Sequence, residues 1–226
     1  MPRAAVAAAL LLVAAAPAAA QVPLFPGDRA QPPAFPTALS VWGLAGFGGQ
    51  RATRRFIDLA DPDCDTIPCK SEHRLTGSLG VGARFQTGLS PRMGLRFGVS
   101  FSAPSQKARL TEPTRQTRVG DKLSAARGEV LLLMRLKPQV PVYFGLGIAL
   151  ARFSPGPVFG QDGATEVGAA LAVGFDHRIN PRVGTRTEWT TYLMRPSGDV
   201  FSTEYRPTAL AFDHQVSFGV SFFLNP

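Results

Sequence analysis

Lysine is scarce in this 226-residue sequence: it occurs only at Lys70, Lys107, Lys122 and Lys137, none inside a stretch that reads as a strand. Soluble β-proteins place lysine on the wet faces and edges of their sheets, so its rarity counts against a soluble sheet protein. Long apolar runs are also missing once the first twenty residues are passed, because charges or prolines interrupt every one. A spanning helix needs roughly 20 consecutive apolar residues, which excludes membrane helices. With only three histidines, His73, His177 and His214, there is little material for metal or nucleophile chemistry. No basic segment is interleaved with aromatics, which counts against nucleic acid as a partner.

Only two cysteines occur, Cys64 and Cys69 in DPDCDTIPCK. In an oxidising compartment the expectation is a local disulfide closing a small loop. Asp61, Asp63 and Asp65 have the alternate spacing of a calcium loop, with Glu72 where its last ligand belongs. Thr66, however, stands where that loop requires glycine, and nothing helical flanks it, so a solvated acidic loop is expected and no metal.

Residues 1–20, MPRAAVAAALLLVAAAPAAA, carry one charge at Arg3, an apolar run and small residues at Ala18 and Ala20. This is the pattern of a secretory signal with its cleavage site. Losing Arg3 with it turns 24 basic side chains into 23, against 16 acidic ones. Residues 21–37, with five prolines and no alternation, read as an extended periplasmic lead-in. Residues 38–226 form the remaining domain.

That domain carries eight stretches of period-two alternation, the mark of a strand. They fall near 38–49, 75–89, 93–103, 125–136, 142–153, 166–179, 182–194 and 209–224. MGLRFGVSFSA, from Met93 to Ala103, alternates without error, whereas the glycine-rich first stretch is ambiguous in parity. Leu131 and Leu133 interrupt the polar face of the fourth, and Leu75 falls on the apolar face of the second. Segments of about ten residues suit a tilted membrane strand. The connections alternate as well: LSPR, KPQVP and INPR are short, while about 50–74, 104–124, 154–165 and 196–207 are long and polar. An up-and-down barrel inserted from the periplasm sorts its loops in this way.

The less apolar face decides which side is wet. It is built from Gly, Ala and Ser, with large residues that are mostly charged: Arg84, Arg96, Arg127, Arg135, Arg178 and Arg186, with Glu129, Asp176, Glu188 and Asp213. A basic side chain facing lipid at the midplane costs about 2 to 4 kcal/mol. These ten therefore belong inside, as a polar plug of an eight-stranded barrel whose interior is just wide enough for side chains.

The chain resembles the eight-stranded outer-membrane barrels of the OmpA, OmpX and OmpW kind over about Ala38 to Leu224. Val216, Phe218, Val220 and Phe222 keep the C-terminal alternation through which the assembly machinery recognises that class, although the chain runs on to Pro226. The resemblance implies an all-β antiparallel transmembrane barrel in the outer membrane of a Gram-negative-type bacterium. It is expected to be a monomer without cofactor, in contact with outer-membrane lipids.

The leading functional expectation is a non-enzymatic barrel with a structural or surface-interaction role. The alternative is a narrow channel or conduit for small or hydrophobic solutes, with any ion leak favouring anions on the six-to-four count of inner charges. A lipocalin-like soluble barrel and a lipid A-modifying enzyme are weaker readings. No histidine has the His-x-Ser of lipid A deacylase barrels, and His73 beside Ser71 and Glu72 is adjacency in sequence only. Basic residues in the first two long loops, Arg51, Arg54 and Arg55, then Lys107, Arg109, Arg115, Arg118 and Lys122, are candidate contacts for lipopolysaccharide phosphates.

Overall fold

In the computed structural model, residues 35–56, 69–111, 116–137, 140–154, 163–196, 206–207 and 209–224 are described. The signal segment, most of the lead-in, Asp61, Asp63, Cys64, Asp65 and Arg115 lie outside them.

Eleven strand segments form one sheet: β1 (Ala38–Gly48), β2 (Gln50–Phe56), β3 (Cys69–Gly88), β4 (Met93–Thr111), β5 (Gln116–Lys122), β6 (Ser124–Met134), β7 (Val142–Ser154), β8 (Ala164–Arg178), β9 (Val183–Arg195), β10 (Arg206–Pro207) and β11 (Ala211–Phe223). Gly49 divides β1 from β2 and Leu123 divides β5 from β6, so each pair is one strand with an interruption. Each chain neighbour pairs antiparallel with the next, and β1 closes on β11 with Ala38 opposite Phe223 and Gly48 opposite Asp213. The result is an eight-stranded up-and-down closed barrel. No helix among the described residues is long and apolar enough to cross a membrane, and the crossing is made by strands.

Period-two alternation sorts the faces. Leu79, Phe101, Ile148 and Phe218 stand outward at 75%, 62%, 66% and 61% exposure, within an apolar belt far larger than the patches water tolerates on a soluble monomer. The turns at the opposite end from the long hairpins use one device twice. The Ser90 hydroxyl accepts from the Met93 amide at 3.0 Å, and the Asn180 side-chain oxygen accepts from the Arg182 and Val183 amides at 2.8 Å. Both precede Pro-Arg, and the polar side chain supplies the turn's hydrogen bond while proline fixes its backbone.

Several expectations need correction. β3 and β4 are 20 and 19 residues long, about twice the 9–11 residues a tilted strand needs. Much of what reads as two long loops is therefore paired strand: β2 pairs with the start of β3, and β5 with the end of β4. Lys70, Lys107 and Lys122 stand in these extensions. A bulge between Leu75 and Ser78 shifts the register, so Leu75 turns inward and is buried. Residues 35–37 belong with the barrel: Phe35 is buried, and Gln86 Nε2 donates to the Pro36 carbonyl at 3.1 Å.

Of the expected Cys64–Cys69 disulfide only Cys69 is described, and it does not stand as a free thiol; Cys64 lies outside the described residues. Cys69 is fully buried at the first position of β3. There the base of the loop is closed by the strand ladder, with Arg55 opposite Lys70 and Phe56 opposite Cys69.

Candidate functional site

The interior is organised in tiers. β1 and β7 rise from the end with the short turns, while β3 and β6 descend toward it, so residue order along each strand gives height. In the middle tier Glu188 is fully buried and gathers four donors. Arg96 pairs with its Oε2, Arg84 Nη2 lies 2.9 Å from Oε1, Tyr143 donates to Oε2 at 2.5 Å, and Thr190 donates to Oε1 at 2.7 Å. Glu129 Oε1 stands 3.1 Å from Arg96 and 3.4 Å from Arg84, and Tyr192 donates to its other oxygen at 2.8 Å. The Arg84 guanidinium also stacks 3.8 Å over the Trp42 ring. Two cations and two carboxylates thus close on one another.

Glycine makes room for this tier. Trp42 lies against Gly82 and Tyr143 against Gly174, and a Cβ at either glycine would collide with the ring. At Gly98 a Cβ would come within 2.7 Å of Glu129 Oε1. The small residues of the inner parity are therefore complements to large inner side chains on neighbouring strands.

The lower tier holds Asp176 between Arg186, at 2.6 Å, and Arg135, at 3.1 Å, with the Arg135 guanidinium 4.5 Å over Phe35. Leu131 and Leu133, which break the polar alternation of their strand, are fully buried here and in the middle tier beside Tyr143 and Ala172. In the upper tier Arg127 pairs with Asp213 at 3.0 Å and lies near the Phe153 and Tyr192 rings. Above it the lining turns mostly apolar: Leu75, Leu123, Ala125, Ala151, Phe153 and Met194 are all buried, with Glu166 buried opposite Ala151.

Nine of the ten residues expected inside are thus brought into these three groups. Arg178 is not: it is exposed at the end of β8, over the Phe223 ring at 4.5 Å. Glu166, absent from that expectation, is buried. Its inward parity was visible in the alternation, but it sits at the strand's first turn from the loop, where parity is hardest to anchor. Among the described residues the inner charges therefore number five of each sign, Arg84, Arg96, Arg127, Arg135 and Arg186 against Glu129, Glu166, Asp176, Glu188 and Asp213. The six-to-four imbalance behind the expected anion preference is absent.

The three histidines lie apart. His73 is buried in the β3 extension, where burial lowers its pKa to about 4. His177 is exposed near the short-turn end. His214 packs on the outer face with Phe47 and Trp189, its Nδ1 3.0 Å from the Thr191 hydroxyl. Among the described residues no group of three or more His, Cys, Asp or Glu could hold a metal ion. Glu72 is engaged by Lys70 at 2.5 Å and by Arg74 at 3.5 Å. The hydrogen bond from Lys70 holds its carboxyl below the ordinary carboxylate range.

Of the candidate lipopolysaccharide contacts, Lys107 and Arg109 are exposed on β4. Arg51, Arg54 and Arg55 lie in β2, and Arg118 and Lys122 in β5.

The fold is matched by the crystal structure of the outer membrane protein OprG from Pseudomonas aeruginosa, with TM-score 0.52 and 11% identity over 84% of this chain and 97% of that one. Similarity extends to the solid-state NMR structure of outer membrane protein AlkL in lipid bilayers, at TM-score 0.43 and 14% identity over 89% and 96%. It extends also to Ail of Yersinia pestis, at TM-score 0.41 and 12% identity over 84% and 100%. No curated protein matches the sequence. The model of the outer membrane protein beta-barrel domain matches residues 5–222. With the closed eight-stranded sheet and its apolar belt, this places the chain in the outer membrane of a Gram-negative bacterium, as a member of the outer membrane protein beta-barrel domain family.

Proposed function

We propose that this barrel is a conduit for small hydrophobic solutes, entered from the side of the long hairpins, and that its ionic tiers block water and ions. The observation that carries the reading is the change of lining along the interior. Leu75, Leu123, Phe153 and Met194, with Ala125 and Ala151, make the upper lumen mostly apolar above paired charges, with Glu166 the buried charge opposite Ala151. An apolar solute lodging against that lining leaves the ionic tiers below intact, whereas an ion would have to separate buried pairs to pass. Breaking such a pair costs about 3 to 5 kcal/mol.

The test is uptake by intact cells carrying the barrel or its Ala151→Trp variant, which fills the upper lumen with an indole. The hydrophobic fluorophore N-phenyl-1-naphthylamine should enter faster with the wild-type barrel than with the variant, while entry of a hydrophilic β-lactam stays equal. Equal fluorophore entry would remove the reading. A surface role has one specific observation in its favour: the paired hairpins of β2–β3 and β4–β5 continue well past the length needed to cross the bilayer.

A further inference from the structure

The outward face of the β3–β4 ladder changes character within a few residues. Leu79 and Val81 on β3, and Val99 and Phe101 on β4, belong to the lipid belt. Beyond the bulge, the same ladder sets Arg74 opposite Lys107, Glu72 opposite Arg109 and Lys70 opposite Thr111. Arg74 and Lys70 are 57% and 42% exposed, and Lys107 and Arg109 are exposed as well. Four cations and one carboxylate therefore share a single face.

Two further features bear on what this face meets. Like charges directly opposite across a ladder destabilise it, yet Arg74 faces Lys107, and the register puts Arg118 of β5 opposite Arg109. An anion beside such pairs would offset that repulsion. The second feature is height. From Ala103, still in the belt, to Lys107 the chain rises about 13 Å at 3.3 Å per residue, or roughly 10 Å along the normal at a tilt near 40°. The headgroup layer is about 5 to 8 Å deep on each side, and long basic side chains reach back toward it.

We infer that the outward face formed by Lys70, Arg74, Lys107 and Arg109 binds the phosphorylated saccharide headgroup of an outer-leaflet glycolipid of the protein's own membrane. Arginine supplies paired donors to phosphate oxygens and lysine a mobile point charge. Glu72 limits the site by engaging Lys70 and Arg74. Lys70 and Arg74 are not among the basic residues that the sequence singles out as contacts.

The experiment uses the full folded chain, purified in detergent and loaded with bis-phosphorylated lipid A. Retention through detergent exchange is read by native mass spectrometry. The wild type should retain it at least tenfold better than the Lys70→Gln/Arg74→Gln/Lys107→Gln/Arg109→Gln variant, and better than it retains dephosphorylated lipid A. Arg178→Gln, which removes a cation from the opposite rim, should match the wild type. Glu72→Gln should raise retention, which keeps the inference falsifiable if the fourfold variant does not fold. Equal retention by wild type and fourfold variant, or of both lipid forms, would overturn the inference. So would tighter binding of soluble polyphosphate than of the lipid, since the occupant would then be a free polyanion.

Discussion

Replacing Glu188 by glutamine perturbs the ionic layer at its centre while leaving the side chain's shape unchanged. Glu188 is fully buried and receives Arg84, Arg96, Tyr143 and Thr190. In the variant Arg84 and Arg96 share the single carboxylate of Glu129, at 3.4 and 3.1 Å, and one cation goes uncompensated. Removing one partner of a buried pair costs about 3 to 5 kcal/mol, whereas replacing both by apolar groups of similar volume is close to neutral. Glu188→Gln should therefore lower the unfolding free energy by about 3 to 5 kcal/mol. Arg96→Met/Glu188→Met should lose less, because Arg84 and Glu129 remain a neutral pair. The assay is urea unfolding of the barrel in detergent, followed by Trp42 and Trp189 fluorescence and by loss of the faster unboiled gel band. A loss under about 1 kcal/mol for Glu188→Gln would mean that water reaches and solvates the guanidiniums, and the layer would not be a seal.

Three other outcomes follow from the same structure. Ile148→Arg, at an outward position mid-strand in β7, should cost about 2 to 4 kcal/mol when the barrel is folded into lipid vesicles; a loss near zero would put that face away from the bilayer core. Asn180→Ala removes the acceptor of two backbone amides and should cost about 1 kcal/mol in the same urea assay; an unchanged midpoint would dismiss the capping role. The depressed pKa of His73 has a defined sign: the unfolded chain takes up its proton near pH 6.5 and the folded chain only near 4. Stability should therefore fall as pH drops from about 6.5 to about 4, and His73→Phe should flatten that part of the profile; identical profiles would refute the shift.

Strand number, up-and-down topology and the outward belt were legible because a membrane strand exposes one apolar face to lipid, which imposes period two on the sequence. The extensions were not legible, since beyond the bilayer the outward face of β3 and β4 carries Lys70, Glu72, Arg74, Lys107 and Arg109 and the alternation loses its apolar half. The bulge that turns Leu75 inward shifts register by an amount no pattern encodes. Trp42 and Leu44 obscured the parity of the first strand because they are apolar yet point inward, Trp42 against Arg84. The inward charges stood out by exclusion from lipid, but their partners lie on distant strands, with Arg96 and Glu188 92 positions apart. Sequence spacing could assign them a face without assigning them a partner.

Whether an apolar solute enters the upper lumen can be read directly by photolabelling intact cells with a short alkane diazirine supplied from outside and mapping the adducts on the barrel. Adducts at Ala151, Phe153 and Met194, inside the upper lumen, and their loss in Ala151→Trp are the predicted result. Adducts confined to outward residues such as Phe101 and Ile148, the same in wild type and variant, would contradict the conduit.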